Sequence, residues 1–127
     1  MRRLNMRNIQ NERAKYAYDK VCEIDGISEQ KEFTTLARST PAKIQMAGLG
    51  VTIAFLYSKQ GGVHKSLYDI VEGWLQNQKI IGEKDELMKA ITESSTGKYQ
   101  AMTVEVQQLL MWVKRFAEGM KKDEKTQ

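Results

Sequence analysis

The sequence predicts an all-α protein, a compact single-domain bundle of five or six helices. Three observations carry that expectation. Apolar residues recur at spacings of three and four over long stretches, as on one face of a helix. No stretch shows sustained period-two alternation. Turn-forming residues (Asp25-Gly26, Thr40-Pro41, Gly61-Gly62, Gly82, Ser95-Thr96-Gly97) punctuate the chain between those stretches. A length of 127 residues suits one core. Residues 1–120 read as the helical domain and 121–127 as a polar tail that frays.

The first helix is expected over residues 4–24, with Met6, Ile9, Ala17, Val21 and Ile24 at helical spacing and Asp25-Gly26 as its end. It is basic: Arg2, Arg3, Arg7, Arg13, Lys15 and Lys20, in the helix and just before it, outnumber Glu12, Asp19 and Glu23, an excess of three beside the whole chain's net charge of +4. The second is expected over residues 28–39, capped by Ser28, with Phe33, Leu36 and Ala37 as its apolar face. Thr40-Pro41 then resets the chain, because threonine caps well and proline suits a first helical position.

The third helix, residues 41–59, is apolar almost all round from Met46 to Tyr57. A helix of that kind is expected to be buried. Ala47, Gly50 and Ala54 give it a small-residue face for close helix packing. The fourth covers residues 64–79, with Leu67, Val71, Trp74, Leu75 and Gln78 inward, and a short acidic helix covers 83–94. In the last helix Tyr99, Met102, Val106, Leu109, Val113, Phe116 and Met120 alternate spacings of three and four. That pattern fits a core-facing stripe or a short coiled-coil seam. The stripe is favoured because the other helices need something to pack on.

Composition narrows function. A sequence pI near 9.2 permits a polyanionic partner without demanding one. The single cysteine, Cys22, rules out an internal disulfide framework and a four-cysteine zinc site, and fits a reducing compartment. The longest mostly apolar run, residues 46–57, falls short of the roughly 20 residues that span a bilayer. The expectation is a soluble, cytoplasmic protein with no membrane partner.

Catalytic chemistry is poorly supplied. His64 is the only histidine, and nothing in the sequence supplies it with a nucleophile and an orienting carboxylate. No metal-ligand spacing occurs, and no cofactor is expected. The segment from Gly61 to Ser66 lacks the first glycine and the preceding strand of a phosphate-binding loop. Basic clusters remain: Lys114-Arg115 with Lys121-Lys122 on the last helix, Arg38 and Lys43 about Thr40-Pro41, and Lys59 and Lys65 about Gly61-Gly62. A helix start at Pro41 would add free N–H groups that favour phosphate. Such contacts hold a nucleic-acid backbone without reading its sequence.

Several blocks also resemble a known family. The stretch from Lys31 to Lys59 carries Pro41, Ile44, Gly48-Leu49 and Ala54-Phe55 in order. It resembles the central motif of the small subunit of the type III-B CRISPR-Cas RNA-silencing (Cmr) effector complex. Leu67–Leu75 and Leu109–Met120 are similar to that family's two tryptophan-bearing helices, and Arg13-Ala14-Lys15-Tyr16-Ala17 to its N-terminal block. The resemblance implies a non-catalytic subunit. Copies of it would stack along the inner side of a ribonucleoprotein in antiviral defence, beside a backbone subunit that cleaves RNA and a large subunit, and would face the duplex of guide and target RNA. Mapped onto this chain, it implies phosphate contacts from Arg38, Lys43, Lys59, Lys114 and Arg115. The basic first helix is a second surface for RNA or an adjoining subunit. A protein–protein scaffold without RNA contact, built on the last-helix seam and Trp112, is the alternative.

Overall fold

A computed structural model describes residues 8–125, with backbone only for 121–125. Among the described residues there are six helices and no strand: α1 (Ile9–Cys22), α2 (Ile27–Ala47), α3 (Leu49–Lys59), α4 (Gly62–Asn77), α5 (Leu87–Thr92) and α6 (Thr96–Lys125). The long α6 is the spine, with α1 and α2 packed on it and α3 and α4 paired beyond. Contacts between α2 and α6 run in opposite chain directions. Thr34 Oγ1 donates to Ala117 O at 3.2 Å, Gln107 Nε2 to Pro41 O at 3.0 Å, and Gly50 N, just past α2, to the Tyr99 hydroxyl at 2.8 Å. The core joins Phe33, Leu49, Ile53, Leu67, Trp74, Leu75, Met102 and Leu109, all fully buried. Each such side chain contributes about 1.5–3 kcal/mol relative to exposure.

The last helix behaves as expected. Met102, Val106, Leu109 and Val113 are buried and Tyr99, Phe116 and Met120 partly so, which makes the periodic pattern a core stripe. Ser95 Oγ accepts from Lys98 N at 3.2 Å, so the expected turn is already the first turn's cap. The expected polar tail, with Lys121 and Lys122, falls where side chains lie outside the described residues.

Several boundaries differ from expectation. Asn8 caps α1, its side chain accepting from Asn11 N, so the helix starts at Ile9 rather than at residue 4. Arg2, Arg3, Leu4, Met6 and Arg7 lie outside the described residues. α1 ends at Cys22, two residues early. α2 is entered through Gly26 at φ +93°, which leaves Ser28 inside the first turn instead of capping it.

The largest correction concerns Pro41. It does not start a helix; α2 runs through it. An interior proline ordinarily costs about 3 kcal/mol, because it lacks an N–H and crowds the carbonyl four residues back. α2 is held on either side of it by packing on α6: Thr40 Oγ1 donates to Leu36 O at 2.7 Å, and Gln107 of α6 donates to the Pro41 carbonyl. The break falls instead at Gly48, whose φ of +95° with ψ of 161° is open essentially to glycine alone. Gly48 N donates to Ile44 O to close α2, and Gly48 O accepts from Thr52 N and Thr52 Oγ1 to open α3.

Nor is the apolar segment buried all round. α3 buries Leu49, Thr52, Ile53 and Leu56, while Val51 and Tyr57 are exposed and Met46 is 87% exposed. Ala47 and Ala54 are exposed too, and the small surface at Gly50 receives the tip of Tyr99 rather than a helix. The cause is geometric. α2, α4 and α5 cover one side of α3, and no described element covers the other.

α4 starts at Gly62 and stops at Asn77. Lys79, at φ +60°, closes it by donating to Gln76 O while Ile80 N reaches Leu75 O, so Gln78 is a cap residue and not part of the buried face. The acidic helix is shorter than expected, because Asp85 accepts from Gly82 N and holds residues 82–85 as a turn. α5 then borrows its cap from α4: Leu87 N donates to the Glu72 carboxylate at 2.8 Å and Met88 N to the Tyr68 hydroxyl at 2.9 Å.

Candidate nucleic-acid interface

The cationic residues sort first by what the fold uses them for. Arg13 is not available to a polyanion. Its Nε and Nη2 donate to the two carboxylate oxygens of Glu105 at 2.7 and 2.9 Å, with side chains only 11% and 16% exposed. The hydrogen bond to Glu105 also raises the Arg13 pKa. Trp74 Nε1 donates to the same carboxylate at 2.8 Å. Tyr16 packs its ring on Trp74, centroids 5.1 Å apart, and donates to Ile70 O at 2.7 Å. One carboxylate therefore locks α1, α4 and α6 together. Lys15 pairs with Asp19 and Lys20 with Glu23, so the described part of the basic first helix presents compensated charge.

The five site residues fall into two groups. On the α2/α6 edge, Arg38 Nε meets Glu118 at 2.9 Å and Arg115 Nη1 meets it at 3.2 Å. Lys114 lies one turn before Glu118, half-buried, with no ion pair among the described residues. Arg38 and Arg115 hold the Glu118 carboxyl below its usual range, Arg38 foremost. Arg38 and Arg115 thus share one carboxylate, and the edge keeps an excess of positive charge. Met111, exposed, sits between Gln107 and Arg115 on the same helix.

Lys43 and Lys59 form the second group on a different face. Both ammonium groups lie over the Phe55 ring, at 4.7 and 5.2 Å from its centroid. The His64 ring meets Phe55 edge-on at 5.4 Å. The expected cluster of Arg38 and Lys43 at a helix start does not exist, since α2 is continuous there and the two residues serve different partners. Lys65 is paired with Asp69 at 2.9 Å, which raises its pKa and separates it from Lys59.

Sequence reasoning missed Phe55 as a partner of cations; its spacing of four from Lys59 was the available signal. It also missed Glu105, whose signal was a carboxylate beside the core stripe.

The sequence blocks map onto this architecture mostly as core. Ile44, Leu49, Trp74 and Leu75 are buried, and Gly48 is the helix break. Residues 9–120 match the family model described as "CRISPR-associated protein (Cas_Cmr5)". The chain belongs to the Cmr5 family. A curated member from Thermus thermophilus, "CRISPR system Cmr subunit Cmr5", is 30% identical over 109 residues, covering 84% of this chain and 90% of its own length. The crystal structure of a CRISPR-associated Cmr5 family protein from the same organism superposes with a TM-score of 0.74 at 31% identity, covering 89% of this chain and 97% of that one. The Cmr5 fold is therefore shared along nearly the full length, and the resemblance to the type III-B small subunit holds. Among the described residues no helix is long and apolar enough to cross a membrane, and no group of three His, Cys, Asp or Glu side chains is placed to hold a metal ion.

Proposed function

We propose that this Cmr5-family chain is the non-catalytic small subunit of a type III-B CRISPR RNA-guided effector. It stacks with copies of itself beside the backbone and large subunits and contacts guide and target RNA through phosphates, in cytoplasmic antiviral defence. The observation that carries the RNA reading is the α2/α6 edge, where Arg38 and Arg115 share a single carboxylate and Lys114, next to Arg115 on α6, has no ion pair among the described residues. Cations held at fixed spacing on a rigid helix suit a phosphate backbone and carry no base code.

The test is the salt dependence of RNA binding by the full chain. Each phosphate contact to a single strand contributes about 0.7 to the slope of log affinity against log salt. Changing Lys114 and Arg115 together to alanine is expected to flatten that slope by about 1.4, with no change in thermal stability. An unchanged slope removes this edge from the interface.

The exposed apolar side chains of Met46 and Val51 favour the stacking half of the reading, since an apolar surface of this kind suits protein contact. Val51→Asp is expected to reduce incorporation of the chain into the reconstituted complex while leaving its own fold intact. Equal incorporation would exclude this face from the contact.

A further inference from the structure

Phe55 is 36% exposed on the outer side of α3, beside the apolar side chains of Leu36 and Val63 and under two lysine ammonium groups. Lys43, Lys59 and His64 converge on its ring from α2, α3 and α4. An open groove of about 510 Å³ lies in front of it, lined also by Lys31, Thr35 and Ser39, with Glu32 the one carboxylate in that lining. An aromatic face, flanking ammonium groups and a groove of positive balance are the elements with which proteins hold single-stranded nucleic acid.

We infer that Phe55 is a stacking platform for one unpaired base of single-stranded RNA, with Lys43 and Lys59 taking the phosphates on either side. This rests on the reading of the chain as an RNA-contacting subunit and adds a base face to the phosphate contacts. Magnitudes decide what occupies the ring. An exposed cation–π contact is worth about 0.5–1 kcal/mol. A base stacked on an aromatic side chain is worth about 1–3 kcal/mol. Both lysines are exposed and flexible, and each exchanges the ring for a stronger charge-assisted bond when a phosphate arrives. A duplex supplies no free base face without unstacking, which costs a few kcal/mol. The platform therefore prefers single strands to duplex, and it is indifferent to sequence because every base has a π face.

The experiment measures binding of the full chain to a short fluorescent oligoadenylate and to a blunt RNA duplex of the same length. Phe55→Leu keeps the apolar bulk and removes the π face. It is expected to weaken single-strand binding about 5- to 100-fold while leaving duplex binding and the salt slope unchanged. Phe55→Trp is expected to restore or tighten single-strand binding. Phe55→Leu that binds the single strand like the parent, or that loses the same factor on both probes, overturns the platform. If the parent binds RNA with a slope sensitive to Lys114 and Arg115 while Phe55→Leu is silent, only the platform falls. If the parent binds neither probe, the RNA-contact reading falls with it.

Discussion

Replacing Glu105 by alanine removes the acceptor for two hydrogen bonds from Arg13 and one from Trp74. The guanidinium is left 11% exposed and the indole N–H sits in a side chain that is 1% exposed. Removing one partner of a buried ion pair costs about 3–5 kcal/mol, because the other charge stays behind unpaired. The lower end applies here, since both side chains keep a little solvent contact. An orphaned indole N–H adds about 1 kcal/mol. The expected loss is therefore about 4 kcal/mol, or roughly 15 °C in Tm for a chain of this size. Urea and thermal unfolding of Glu105→Ala, Arg13→Ala and the double variant measure it. The two losses should not add; the cycle should show a coupling of about 2 kcal/mol or more. A loss below about 1 kcal/mol for Glu105→Ala, the level of a surface pair, would refute the claim that this carboxylate locks three helices. So would a cycle without coupling.

Other perturbations probe the same frame. A Cβ on Gly73 would stand 2.5 Å from the Tyr16 hydroxyl, so Gly73→Ala is expected to lose about 1–3 kcal/mol in chemical unfolding. Adding Tyr16→Phe should recover much of that loss, because the clashing atom is gone. Gly48→Ala places a side chain at φ +95° and is expected to cost about 1–3 kcal/mol, read as a lower Tm with unchanged helical content. Burial raises the Tyr16 and Tyr68 phenol pKa values in the fold. An unfolded tyrosine ionises near pH 10, so above that the unfolded chain releases protons the folded chain keeps. The phenols' contribution to stability should be level below about pH 10 and fall as pH rises further, and Tyr16→Phe should weaken that dependence.

The core was legible in the sequence wherever one helix face does one job. The stripe from Met102 to Val113 and the inward set Leu67, Val71, Trp74 and Leu75 follow from periodicity alone, because each faces a single packed layer. Pro41 misled because its local preference for a helix start is real. The helix continues because α2 is packed along α6, where Gln107, 66 residues away, donates to the Pro41 carbonyl. The exposed side of α3 was illegible for a related reason: hydrophobicity reports what a surface could bury, not which side has a neighbour. Of the site residues, the sequence placed Lys114 and Arg115 side by side. It could not reveal that Arg38 would join Arg115 across Glu118, or that Lys43 and Lys59 would meet over Phe55.

The dependence of α1 and α2 on the final helix shapes how the chain is made. Arg13 and Glu105 are 92 residues apart, and Thr34 and Ala117 are 83 apart. On the ribosome, α1 and α2 emerge without the helix that makes the largest share of their contacts, so the bundle closes only once α6 has left the exit tunnel. A polypeptide stopped ahead of Thr96 would be a set of amphipathic rods without a hub, a substrate for proteases rather than a smaller version of the protein.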